Sequence, residues 1–238
     1  MSPWSLPLLV ASFLGSVALH VPHCRAATAE PPADAVAALR PALSIGRTAG
    51  GARLLSLEDL RLFYDGRGDR PAWTDAGRPS PQMDVLLDAL RSADREGLNP
   101  ADYHLAAIDD LRARLRVSAR PAREAANDLL DLDLLLSDAF LLYAGHLTSG
   151  RVDPGSIEPE WNIPGRGRAL PLLLSAALER GHLAATLAYL PPAREDYRLL
   201  RDALAALRAI AAAGGWPPVP AGPTLREGDH GPRIAPLR

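Results

Sequence analysis

The chain has 238 residues, 47% of them hydrophobic, with 26 basic and 28 acidic side chains and a formal charge of −2. That size and balance describe a globular protein of one large domain, or one domain plus a fragment, and exclude whole-chain disorder. Every basic residue is Arg and no block of one sign occurs, which argues against a nucleic-acid or anionic-membrane surface as the main role. Cysteine occurs once, at Cys24, so neither an internal disulfide nor a Cys-based metal cluster can be built.

Residues Leu6 to Leu19 form an uncharged apolar run, too short for the roughly 20 residues a membrane-spanning helix needs. The run resembles the h-region of a secretory signal, and Ala27-Thr28-Ala29 offers a cleavage site before Glu30. The reading is a signal peptide over 1–29, a periplasmic or secreted mature chain without a thiol, and no stable membrane span after cleavage. Val21-Pro22-His23 is a poor match to the small residues expected before a lipidated cysteine.

From about residue 30 to 215 the signals are helical, and period-2 alternation is absent. Ser56 with Glu58 and Asp59 marks a helix start ahead of Leu60, Leu62 and Phe63. Ser80-Pro81 precedes Met83, Leu86, Leu87 and Leu90, one apolar face ending near Gly97. Asn99-Pro100-Ala101-Asp102 starts the next helix, to about Arg116. From about 121 to 148 runs the most apolar segment, a helix of about 40 Å that should stand at the centre of a bundle. Shorter helices are expected over Leu170 to Arg180 and His182 to Tyr189. A last one runs from Glu195 to Ala213, with Tyr197, Leu200, Leu204 and Leu207 on one stripe and Gly214-Gly215 at its end. The fold class is therefore all-α, an irregular helical bundle around a long central helix. A Pro/Gly linker follows over 216–223. Residues 224–238 read as the opening of another domain, with Ile234 and Leu237 at helical spacing and nothing to bury against, so this C-terminal tail is expected to be disordered or frayed.

Two clusters could carry chemistry. Asp128, Asp131, Asp133 and Asp138 lie on the central helix, with no Arg between Glu124 and Gly150 to pair with locally. They could hold a metal or act as an acid/base pair; the plainer reading is that they solvate one edge or take Arg partners from neighbouring helices. Glu158 and Glu160 flank a proline beside Trp161 in a breaker-rich loop, a pattern that would suit glycan binding or cleavage by paired carboxylates. The plainer reading there is a structured loop anchored by a buried Trp161. His104, His146, His182 and His230 are widely separated, without zinc-binding spacing, and read as structural. No Lys is present for a phosphate-binding loop, and no cofactor is expected.

Several segments occur in a telling order: Arg70 to Asp75 around Trp73, Arg95 to His104, Leu136 to Leu147, Gly150-Arg151-Val152-Asp153-Pro154 through Glu160-Trp161-Asn162, then Leu190-Pro191-Pro192 and the Tyr197 helix. Together they resemble the N-terminal helical scaffold domain of large murein L,D-transpeptidases across nearly all of 34 to 220. The resemblance implies a cell-wall setting, with peptidoglycan or cell-wall synthesis proteins as partners and no nucleic acid. It implies that the tail from Leu225 opens a peptidoglycan-binding domain, followed in that family by a catalytic domain with an S-x-G-C-x-R-type motif whose thiolate forms an acyl-enzyme. No such motif occurs in this chain. It therefore reads as a truncated, non-catalytic scaffold, with a stand-alone accessory or a glycan-binding or glycan-cleaving protein using the Glu158/Glu160/Trp161 loop as alternatives. Arg151, Asp153, Glu160 and Trp161 match the family's signature loop and, with Glu158, are possible glycan or interdomain contacts; no catalytic, cofactor or metal residue carries over.

Overall fold

A computed structural model describes residues 33–75, 78–117, 121–152, 155, 157–158, 160, 169–216 and 218–234. Among these the fold is all-α, with eight α-helices: α1 Ala33–Ile45, α2 Leu57–Gly66, α3 Gln82–Arg91, α4 Leu105–Leu115, α5 Ala122–Ser149, α6 Leu170–Glu179, α7 Leu183–Tyr189 and α8 Glu195–Ala212. Two 3₁₀ turns, Ala93–Glu96 and Pro100–Tyr103, sit between α3 and α4. The one sheet is a two-residue antiparallel ladder, Thr74 opposite Pro79 and Asp75 opposite Arg78. Neither α1 nor this ladder is announced by the sequence pattern. Beside the ladder the Ser80 amide donates to the Trp73 carbonyl at 2.8 Å.

The central element is α5, whose residues from Leu130 to Leu141 are buried without interruption. α1, α2, α3, α4 and α6 all pack against it, which is what a helix apolar nearly all round requires. Leu60, Phe63 and Tyr64 of α2, and Met83, Leu86, Leu87 and Leu90 of α3, supply the facing apolar stripes. α7 seats Leu183 and Leu187 on α3 and α6. The α3 region ends as its residues dictate: Gly97 adopts φ +75°, a left-handed conformation that only glycine takes without steric cost.

The two helix starts marked by serine differ. The Ser56 hydroxyl makes no capping bond to α2; the nearby backbone donors go to a carboxylate of α5 instead. At α3 the Ser80 hydroxyl accepts from the Gln82 amide at 3.3 Å, as expected of a cap.

α8 is attached differently from every other helix: it buries no residue. Leu200 and Leu207, on the expected apolar stripe, are 70% and 50% exposed. The helix leans on the 3₁₀ turn Ala93–Glu96, with Leu204 against Gly97. Polar links hold it there. The Tyr197 hydroxyl donates to Glu96 Oε2 at 2.7 Å, Arg201 Nη2 lies 3.1 Å from Glu96 Oε1, and Arg208 donates to the Asp94 carbonyl. In the tail, the Asp229 amide donates to the Arg226 carbonyl and the Ile234 amide to that of Gly231. Ile234 thus lies in a turn, not in the helix its spacing suggests, and Leu237 falls outside the described residues.

Elements held by few buried apolar contacts open locally at low cost. Amide exchange on α8 is expected to show protection at least ~10-fold below that of Leu130–Leu141 in α5; equal protection by mass-spectrometric exchange would contradict this docking.

Candidate functional site

Three of the four aspartates singled out on α5 are buried among backbone donors. Asp131, Asp133 and Asp138 are 3%, 1% and 0% exposed, and they receive backbone amides of the preceding chain. Asp131 accepts from Ala49 N at 2.8 Å and Gly50 N at 2.6 Å. Asp138 accepts from Leu55 N at 2.8 Å and Ser56 N at 2.7 Å, and its Oδ2 lies 2.8 Å from His104 Nε2. Asp133 accepts from Ala72 N at 2.8 Å, Trp73 N at 2.7 Å and the Tyr64 hydroxyl at 2.6 Å. Ser137, one turn on, accepts from Trp73 Nε1 at 3.0 Å. The expectation of a solvated edge or Arg partners is corrected for these three: loop amides without a helix or sheet of their own need buried acceptors, and a carboxylate supplies two oxygens. Asp128, 13% exposed at its side chain, does meet an Arg, with its Oδ1 3.3 Å from Arg114 Nη2.

Helical geometry separates these receptors into two sets. Asp131 and Asp138, seven residues apart, lie within about 20° of each other around α5, whereas Asp133 and Ser137 lie roughly on the far side. Residues 48 to 73 therefore pass from one face of α5 to the other, pinned at both. Gly50 shows how tight the first pin is: a Cβ there would stand 3.0 Å from Asp131 Oδ2.

Burial pushes the Asp133 carboxyl above its ordinary range, while the Tyr64 hydroxyl and the Trp73 and Ala72 amides pull it back. Burial, with the Asp133 charge beside it, also raises the Tyr64 hydroxyl well above its usual value. Tyr64 thus stays a donor. Among the described residues no group of His, Cys, Asp and Glu is arranged to hold a metal.

The histidines of this region are structural as well. His104, between the second 3₁₀ turn and α4, takes φ +56°, a left-handed conformation costing a non-glycine residue about 1 kcal/mol; the bond to Asp138 holds it there. His146 Nδ1 lies 2.9 Å from the Tyr103 hydroxyl, and Tyr103 meets Tyr143 edge-on with ring centres 5.4 Å apart. Burial, with the Asp102 charge adding, pushes the Tyr103 hydroxyl up to about 12. Burial and the neighbouring Arg151 hold His146 below its ordinary value, against the pull of Asp102.

Of the signature-loop residues, Arg151 is placed by an ion pair, its Nη2 3.0 Å from Asp102 Oδ2. This ties the end of α5 to the second 3₁₀ turn. Glu158 and Glu160 are exposed. Asp153 and Trp161 lie outside the described residues, as does any anchoring of the loop by Trp161. A separate open cleft of about 340 Å³ lies where the end of α5 meets the α7–α8 connection, lined by Leu147, Thr148, Tyr189, Pro192, Arg198 and Arg201 among others. Sequence reasoning did not single it out; Leu190-Pro191-Pro192 was the available signal.

The described residues thus form an all-α bundle gathered on one long helix, whose buried carboxylates accept loop amides. The scaffold-domain family matches residues 58–204. The chain belongs to this family, the scaffold domain of L,D-transpeptidases. Comparison with curated proteins and with solved structures gave no match.

Replacing Asp133 by Ala removes the acceptor of the Ala72 and Trp73 amides, and such a loss costs about 3 kcal/mol in unfolding free energy. Asp133→Asn, which keeps one acceptor and removes the buried charge, should cost less; chemical denaturation checks both. For His146, a folded-state value below the unfolded one means the unfolded chain takes the proton first. Its contribution is present above the unfolded pKa of about 6.5 and is lost as pH falls through the folded value. Between about pH 7 and 5, His146→Gln should flatten the decline in stability measured by urea titration.

Proposed function

We propose that this chain is the non-catalytic helical scaffold of an L,D-transpeptidase of the murein-crosslinking type and works at the bacterial cell wall after export by residues 1–29. The family match over 58–204 carries this reading. Two features support it. Acyl transfer through a thiolate needs a cysteine, and the only one, Cys24, stands beside the apolar leader. The buried carboxylates and histidines that might have served other chemistry are engaged with loop amides, a hydroxyl or one another. On this reading the domain's work is to keep a rigid body in register with murein or with cell-wall synthesis proteins. Arg151, Asp153, Glu158, Glu160 and Trp161 are its proposed contacts.

Incubation of the purified full chain with murein sacculi, followed by centrifugation and chromatography of the supernatant, tests this. The chain should sediment with the sacculi and release no soluble muropeptides. Absence from the pellet removes the peptidoglycan contact. Release that Glu160→Gln abolishes would replace the scaffold reading with glycan cleavage by the Glu158/Glu160 loop.

A further inference from the structure

We infer that the cleft between the last turn of α5 and the α7–α8 connection binds a short peptide through a carboxylate. At about 340 Å³, the cleft falls at the small end of the range of ligand sites, large enough for a few residues. Its floor is apolar: Leu147 and Leu190 are 6% and 2% exposed. Pro191 and Pro192 stiffen the adjoining wall. Tyr189, also lining it, is 75% exposed.

Two guanidinium groups give the site its charge preference. Arg198 and Arg201, three apart on α8, occupy the same face and both line the cleft. Arg201 is positioned in advance, because Glu96, whose side chain is 9% exposed, receives both it and the Tyr197 hydroxyl. That pair engages Nη2 of Arg201, and the pair with Glu195 engages Nη2 of Arg198. A guanidinium has five N–H donors in a fork that matches a carboxylate, so each retains donors for a ligand. Thr148 completes the polar set. Its hydroxyl donates to the Ala144 carbonyl at 2.8 Å, leaving lone pairs that can accept a peptide N–H. An apolar floor, a hydroxyl acceptor and paired cations on one rim complement a small apolar side chain next to a carboxylate. The inference does not depend on the murein reading.

The test is titration of the full chain with N-acetyl-Leu-Ala-Ala bearing a free C-terminal carboxylate, the same peptide as its amide, and N-acetyl-Ala-Glu-Leu-amide, whose carboxylate is on a side chain. Nuclear magnetic resonance would follow the amides of residues 188–201. At least one acidic peptide should saturate with shifts confined to the cleft, and the neutral amide should bind about 10-fold more weakly; which acidic peptide binds tells a terminal from a side-chain carboxylate. Arg198→Gln should weaken binding about 5-fold or more with an unchanged thermal midpoint, since its partner Glu195 is exposed. Arg201→Lys, which keeps a cation for Glu96 but loses the planar fork, should also weaken it. Equal binding of acid and amide, saturation by neither acidic peptide, or undiminished binding by Arg198→Gln would overturn the inference.

Discussion

The fold depends on carboxylates of one helix accepting backbone amides from loops that lack hydrogen-bonding partners of their own. Burying an amide without an acceptor is costly, and burying a carboxylate without donors costs more. Placed together, Asp131, Asp133 and Asp138 solve both problems, each taking at least two backbone N–H groups at 2.6–2.8 Å. This explains why the long, deeply buried central helix is also studded with acids. The apolar residues gather five helices around α5, and the acids fix where the connecting backbone lies against it. For Asp133, desolvation still outweighs the donors in setting its proton affinity. That tie favours a single arrangement of the loop more than it adds to net stability.

Several of the segments that resemble the transpeptidase scaffold are neighbours among the described residues. Trp73 meets Ser137 and Asp133, His104 meets Asp138, Tyr103 meets His146, Arg151 meets Asp102, and Glu96 meets Tyr197 and Arg201. Far apart in sequence, these residues are the two halves of contacts formed across the bundle. A residue set of this kind marks a family without marking an active site.

Much of the architecture was legible because hydrophobic periodicity is a local signal. The stretches around Leu86 and Leu134 have the helices their spacing implies, and α5 spans Ala122–Ser149 against an expected 121 to 148. What stayed hidden was non-local. Nothing near Asp131 in sequence reveals that its partners are at 49 and 50, since a carboxylate facing an amide and one facing a guanidinium look alike on a helical wheel. α1, with Pro41 inside it, lacks a clean start signal. The stripe on α8 was visible, but periodicity says only which residues share a face, and there the anchoring falls to Tyr197, Arg201 and Arg208. The cleft went unnoticed because its lining is drawn from three elements.

The long reach of the carboxylate ties has a consequence for how the chain is made. The Ala49 amide and its acceptor Asp131 are 82 residues apart, and Leu55 and Asp138 are 83 apart. A ribosome adding about 5–20 residues per second needs about 4–16 s to cover that gap. Through that interval α1, α2 and the Trp73 turn are without the helix that organises them, and their apolar faces are available to other chains. Ties that span so much of the chain raise the contact order of the fold, and contacts of that kind close slowly.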